Sequence, residues 1–161
     1  RVCGAADTGC VSMESLQEEA MKINRLNDQI SVSPQIAAAD VAEVARAGFK
    51  TIICNRPDNE APDQPSIEQI RAATEQAGLT FVEIAFTGGR QTAADVQAFA
   101  QALEEQAAPV LAYCRTGTRS ATIWAMAQAA KSSPDEIIAA AAGAGYDLAP
   151  MRPVLAALGK S

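Results

Sequence analysis

The chemistry-bearing residues of this chain gather in one stretch, Val110-Leu111-Ala112-Tyr113-Cys114-Arg115-Thr116-Gly117-Thr118-Arg119-Ser120-Ala121. An apolar strand delivers Cys114 to its carboxyl end, Gly117 supplies a tight turn, and helical sequence resumes at Thr118. Such a turn aims successive backbone N–H groups inward as a nest, with the positive end of a helix dipole behind them. A cysteine at that focus gives up its proton readily, since helix N-termini and guanidinium groups bring thiol pKa values from about 8.5 to about 3.5–7.5. Cys114 is therefore the expected nucleophile. Arg119 is expected to orient an anion and Arg115, pointing outward, to steer anionic substrates. Thr116, Gly117, Thr118 and Ser120 complete the cradle, with a hydroxyl of Thr118 or Ser120 offered to the thiolate. A lone cysteine after a strand is ordinarily a small buried hydrophobe; the glycine, arginine and serine that follow point to function instead.

No histidine occurs anywhere in the 161 residues. That excludes Ser–His and Cys–His pairs, His-ligated metals and the ordinary neutral-pH general base. The four cysteines, Cys3, Cys10, Cys54 and Cys114, form no zinc-type spacing and are too sparse for a disulfide-built fold. No metal and no cofactor are implied. A net charge of −6 argues against nucleic acid as a partner. The longest apolar run, Ser120 to Ala130, is bracketed by Arg119 and Lys131 and is too short for a membrane span. Without a secretory pattern at the N-terminus, a reducing cytoplasm is the expected compartment.

The elements that must hold this turn alternate between strand and helix. Residues 1–20 are acidic and aperiodic and are expected to form a flexible extension, with the catalytic domain spanning 21–161. Ile23 to Val32 reads as one or two strands. Ser33-Pro34 is expected to open a helix ending at Gly48. Lys50 to Cys54, Leu79 to Phe86 and Pro109 to Tyr113 read as strands. Between them, helices start at Ser66, which has capping-box spacing to Gln69, and at Thr92. Further helices run from about Thr118 to Lys131, from Ser133-Pro134, and from Met151 to Leu158. This order implies an α/β three-layer sandwich with a mostly parallel central sheet. Ligands then bind beyond the carboxyl ends of the strands, on the loops after Cys54, Phe86 and Tyr113.

Tyr113-Cys114-Arg115-Thr116-Gly117-Thr118-Arg119-Ser120 resembles the active loop of rhodanese-type sulfurtransferases. The preceding elements instead resemble small dual-specificity and tyrosine phosphatases: a strand ending Ile53-Cys54-Asn55, then Phe81-Val82-Glu83-Ile84 with its loop, then the cysteine strand. Together with Asn55-Arg56-Pro57-Asp58 and Thr87-Gly88-Gly89, these features resemble the phosphatase-like domain of bacterial beta-lactamase-hydrolase-like proteins, also described as a sulfur transferase family. The resemblance runs from about Met21 to the C-terminus and implies a tyrosine-phosphatase-like fold and a cysteine-dependent enzyme.

The chain departs from the phosphatase pattern twice. Four residues separate Cys114 from Arg119, one fewer than in tyrosine phosphatases. The loop Phe86-Thr87-Gly88-Gly89-Arg90 lacks the aspartate that would protonate a leaving alkoxide, and losing a general acid costs about 10²–10⁴ in rate. Sulfane-sulfur transfer needs no such acid, because it expels a weakly basic anion. The residues therefore favour a sulfurtransferase that forms a persulfide on Cys114. The alternatives are a phosphohydrolase working through phosphocysteine and a non-catalytic anion- or persulfide-binding module. Expected partners are a small anionic sulfur or phosphate substrate, with a thiol acceptor protein or a metallo-β-lactamase-type sulfur dioxygenase as macromolecular candidates. Asp58 is the carboxylate that could rescue acid catalysis, although a turn or cap role suits it better. Arg56 is expected to close the pocket mouth or pair with a loop carboxylate. Cys54, at the end of a neighbouring strand, reads as a core cysteine, with a reversible disulfide to Cys114 as the alternative. Ile123, Trp124 and Met126 read as core.

Overall fold

A computed structural model describes residues 21–159. The expectation for residues 1–20, and with it Cys3 and Cys10, lies outside the described residues. Five strands, β1 (Asn24–Arg25), β2 (Ile30–Ser33), β3 (Thr51–Cys54), β4 (Thr80–Glu83) and β5 (Val110–Tyr113), form one sheet in the order β1-β2-β5-β3-β4. Only β1 runs antiparallel, pairing with β2. The parallel registers set Ile30 and Thr51 beside Val110, and Cys54 beside both Tyr113 and Glu83.

Every residue of β2, β3 and β5 is buried, as expected for parallel strands covered on both faces. Alternation along β5 sorts its side chains between two cores. Val110 and Ala112 join Phe99, Ala121, Ile123, Trp124 and Leu155 on one face. Leu111 and Tyr113 join Val44, Ile52, Cys54 and Ile70 on the other. The first core is covered by α3 (Ala93–Glu105), α4 (Thr118–Gln128), α5 (Pro134–Gly143) and α6 (Arg152–Gly159), and the second by α1 (Val41–Arg46) and α2 (Ile67–Gln76). The result is the three-layer α/β sandwich the sequence implies.

Helix starts follow local chemistry. Ser66 and Gln69 bracket the start of α2 as a reciprocal capping box, Thr92 and Asp95 that of α3, and Ser133 and Glu136 that of α5. The expected helix start at Ser33-Pro34 is a correction. Ser33 is the last residue of β2 and pairs with Tyr113, its hydroxyl donating to the Pro34 carbonyl. Sheet pairing outweighs the local cap signal, and α1 begins eight residues later, after a 3₁₀ turn at Ala38–Asp40. No helix among the described residues is long and apolar enough to cross a membrane.

The chain passes from β2 to β3 and β4, then returns through α3 to insert β5 between β2 and β3. The loop after β5 therefore emerges mid-sheet, between the ends of β2 and β3, with the loop after β3 beside it and the loop after β4 one strand further out on the β3 side. Those three loops carry the site.

Candidate active site

Cys114 follows β5 at the floor of a cavity of about 340 Å³ lined by Gly88, Gly89, Gln91, Thr116, Thr118, Arg119 and Thr122. The residue itself is 1% exposed, so a ligand meets the sulfur only from inside that cavity. The turn closes because Gly117 takes φ of 94°, a left-handed conformation open to glycine at little cost. In this conformation the Gly117 N–H points back and donates to Cys114 Sγ at 3.1 Å. Helix α4 starts at the next residue, so its dipole adds positive potential at the same place. The neighbouring strand β2 and the residues that follow it also brace the loop, through Cys114 N–H to Ser33 O (3.3 Å) and Gln35 N–H to Arg115 O (3.3 Å).

Tyr146 braces the loop from beneath. Its hydroxyl donates to Thr116 O (3.2 Å) and accepts from Asn24 Nδ2 (2.9 Å). A Cβ on Gly117 would overlap that hydroxyl, so two independent constraints require glycine there. Burial leads the upward shift of the Tyr146 phenol pKa, and the nearby Cys114 adds to it. In the fold Tyr146 is thus a support for the loop.

Arg119, 15% exposed at its side chain, lines the cavity and is held on three sides. Its Nη1 donates to Glu60 Oε2 (3.0 Å) and to Phe86 O (3.1 Å), and its Nη2 donates to Glu60 Oε1 (3.2 Å). Such a two-point pairing fixes the plane of the guanidinium as well as its position. Glu60 in turn accepts from Arg56 Nε (3.0 Å), and Arg56 Nη1 donates to Gln35 Oε1 (3.0 Å). Arg56 is 4% exposed and thus pairs with a loop carboxylate, one of its two expected roles. For Glu60, burial pushes the carboxyl pKa up, but the hydrogen bonds and charges of Arg119 and Arg56 outweigh it and hold the group below its ordinary value. Glu60 is the residue that sequence reasoning missed, since it stands 59 positions from Arg119 in a proline-rich loop with no periodic signal.

The remaining candidates fall into place around these groups. Ser120 is fully buried and donates to Asn55 Oδ1 (2.8 Å), while Asn55 Nδ2 donates to Ile84 O (2.9 Å), tying α4 to the ends of β3 and β4. The Thr116 hydroxyl donates to Thr118 Oγ1 at 3.1 Å. The hydroxyl expected at the thiolate is therefore a correction: Ser120 is committed to Asn55 and Thr118 pairs within the turn, leaving the Gly117 amide as the donor to sulfur. Arg115 is exposed, consistent with an outward-facing cation. Asp58 Oδ1 accepts from Ile67 N (2.8 Å), which places it at the start of α2 in a cap role; it does not line the cavity. Cys54 lies in the second core beside Tyr113 and donates to Arg56 O (3.2 Å). Burial raises the Cys54 thiol pKa, and burial likewise drives the Tyr113 phenol far above its usual range. The face of β5 that carries Tyr113 toward Cys54 sends the next residue, Cys114, the other way. Among the described residues, no group of three or more His, Cys, Asp or Glu side chains could hold a metal ion.

Residues 22–131 match the family described as the phosphatase-like domain of beta-lactamase hydrolase-like protein. Two curated relatives bear the name beta-lactamase hydrolase-like protein. One, from Agrobacterium fabrum, is 38% identical over 109 residues, 68% of this chain and 25% of the relative. Another, from Xylella fastidiosa, is 34% identical over 130 residues, 80% of this chain and 30% of the relative. The chain thus spans a quarter to a third of these relatives. Among solved structures, a candidate phosphatase from Neisseria meningitidis superimposes with a TM-score of 0.76 at 42% identity, covering 84% of this chain and 97% of the other. Tk-PTP in its active form shares the fold at 17% identity, with a TM-score of 0.67 over 86% of this chain and 96% of its own. The chain belongs to the family of phosphatase-like domains of beta-lactamase hydrolase-like proteins and has the tyrosine-phosphatase-like fold.

Proposed function

We propose that this domain is a cysteine-dependent phosphohydrolase that works through a phosphocysteine at Cys114. The observation that carries this reading is the pairing of a sulfur held under the Gly117 N–H with a guanidinium locked in plane by Glu60, both facing one cavity. At about 340 Å³ that cavity falls in the range of small-molecule sites and has room for an anion carrying an organic group, well beyond a single sulfur atom. In the first step the Cys114 thiolate attacks phosphorus, the bond to the ester oxygen breaks, and that oxygen leaves with the electron pair. Arg119 and the loop amides hold the equatorial oxygens as charge develops. Water then cleaves the S–P bond, releasing inorganic phosphate and restoring the thiolate. No carboxylate lines the cavity among the described residues, so the leaving oxygen takes its proton from water. Substrates with weakly basic leaving groups, such as aryl phosphates, react best.

That same lack of a cavity carboxylate, with the short Cys114–Arg119 spacing, supports sulfur transfer as the second reading. There the thiolate attacks the outer sulfur of thiosulfate, sulfite departs with the bonding pair, and an acceptor thiolate later removes the persulfide sulfur. Intact-mass measurement separates the two. After an aryl phosphate is mixed with the protein and quenched in acid, a phosphoryl adduct on Cys114 that is absent from Cys114→Ser is the expected result. A one-sulfur adduct after thiosulfate, without phosphate release from the aryl ester, would replace the phosphatase reading with the sulfurtransferase one.

A further inference from the structure

A second cavity, of about 370 Å³, adjoins the catalytic one between α3 and α4. Gln91 lines both. Helix α4 contributes a continuous stripe to the pair, with Thr118 and Thr122 in the catalytic cavity and Met126 and Ala127 in its neighbour. Residues four apart share one helix face, so one wall runs through both spaces. The opposite wall of the second cavity comes from Val96 and Ala100 of α3, and Leu158 of α6 helps to close it. At the junction, Gln91 Nε2 rests on Met126 Sδ at 3.3 Å, a weak hydrogen bond that a ligand can displace at little cost.

Charge is confined to one end of this trough. Arg119 is the charged residue of the catalytic end and Gln91 stands at the shared boundary. The far cavity is lined by Val96, Ala100, Met126 and Leu158 with the uncharged polar residues Thr92 and Gln97, and by no charged residue among the described residues. From Thr122 to Ala127 the α4 wall runs about 7.5 Å at the helical rise, and Ala130 extends it past the helix end. A small polar phosphate ester would leave this uncharged space unused. We infer that the substrate of this site is an amphiphile, a phosphate monoester whose anionic head seats on the Cys114 loop and whose hydrocarbon tail lies between α3 and α4. The inference rests on the phosphohydrolase reading for the head and on the shared Gln91 boundary for the tail.

The test uses 4-methyl-, 4-butyl- and 4-octylphenyl phosphate below their micelle concentrations, a series of 4-alkylphenol leaving groups of nearly equal basicity. A fully buried methylene contributes about fourfold in affinity, and about twofold when half buried. The expected gain in kcat/KM from methyl to octyl is on the order of a hundredfold at half burial. Val96→Glu puts a carboxylate in the far cavity, away from the reacting atoms. It should flatten the gradient while leaving the 4-methylphenyl rate unchanged, with Ala100→Glu as the independent variant and circular dichroism as the fold check. Equal kcat/KM for all three esters in the wild-type protein overturns the proposal. Failure to hydrolyse any of them counts against the phosphohydrolase reading, and the tail site is then read by binding alone, with methylphosphonate against octylphosphonate. Tail-dependent affinity that Val96→Glu abolishes upholds the trough; equal affinities reject it.

Discussion

Glu60 offers the sharpest test of how this site is held, because one carboxylate fixes two arginines. It accepts three charge-assisted hydrogen bonds, at 3.0, 3.0 and 3.2 Å, each worth about 1.5–3 kcal/mol when fully desolvated. The Glu60 side chain keeps 24% exposure, whereas those of Arg56 and Arg119 keep 5% and 15%. Glu60→Gln preserves one acceptor oxygen and loses the charge, which should cost about 1–2 kcal/mol at pH 7 after discounting for solvent at the carboxylate. Glu60→Ala leaves Arg56 buried without a counter-charge and should cost about 3 kcal/mol. The pH dependence has a definite sign. The folded-state pKa of Glu60 is held below its ordinary 4.5, so its stabilisation is fully present above that value and disappears as pH falls through the lowered one. Urea unfolding followed by the fluorescence of the single tryptophan, Trp124, reads it directly. The gap between wild type and Glu60→Gln should be open at pH 7 and narrow progressively as pH falls below the ordinary 4.5 and through the lowered folded-state value. With Arg119 released from its plane, kcat/KM toward an aryl phosphate should fall about 10- to 100-fold. Equal unfolding midpoints at pH 7, or a gap that persists unchanged in acid, would refute the clamp.

Three further outcomes follow from the geometry. Asp58→Asn keeps the acceptor for Ile67 N and should leave the rate on an aryl phosphate within about twofold, whereas Asp58→Ala should cost about 1 kcal/mol of stability; a hundredfold rate loss in Asp58→Asn would make it the missing acid. Gly117→Ala should cost at least about 1–2 kcal/mol from its left-handed φ, and Tyr146→Phe added to it should relieve the overlap without restoring activity. The chain has two tyrosines, both shifted upward, so alkali should favour the unfolded state from about pH 10 upward. Absorbance at the tyrosinate band should therefore rise later than for a free phenol and together with loss of circular dichroism. A tyrosine titrating reversibly at pH 10 in the folded protein would contradict the burial of Tyr113 and the Tyr146 hydrogen bonds.

What could be read from the sequence was what local chemistry dictates. The buried runs at Thr51–Cys54 and Val110–Tyr113 announced parallel strands, and Ser66, Thr92 and Ser133 announced helix starts by their spacing to a side-chain acceptor three residues on. Gly117 announced the turn beneath Cys114. The expectation failed at Ser33, where a good cap sequence was claimed by pairing with Tyr113, a partner 80 positions away. The supports of the site were illegible for the same reason. Ser120 meets Asn55 across 65 residues, Arg119 meets Glu60 across 59, and Tyr146 meets Thr116 across 30. None of these pairs leaves a periodic trace, because each is created by the order of strands in the sheet or, for Tyr146, by the packing of the C-terminal helices back onto it. Spacing within the Cys114 loop was visible in the sequence, but the cavity that the loop after β4 builds over it was not.

A site without imidazole must divide histidine's usual work among groups that do not titrate near neutral pH. Orientation passes to Tyr146 and Gly117, which fix the main chain so that an N–H meets the sulfur. Charge compensation passes to the guanidinium of Arg119, whose plane Glu60 sets. Proton delivery to the leaving group has no counterpart among the residues lining the cavity. Its absence moves the burden onto the substrate, whose leaving atom must carry negative charge unaided. Phosphate esters of phenols and sulfane donors share that property and alkyl phosphates lack it, so the two chemistries compatible with Cys114 are linked by the same missing proton. Under the phosphohydrolase proposal the space lined by Gly88, Gly89 and Gln91 receives the organic group of the ester, and the adduct that each class of donor leaves on Cys114 distinguishes the two chemistries.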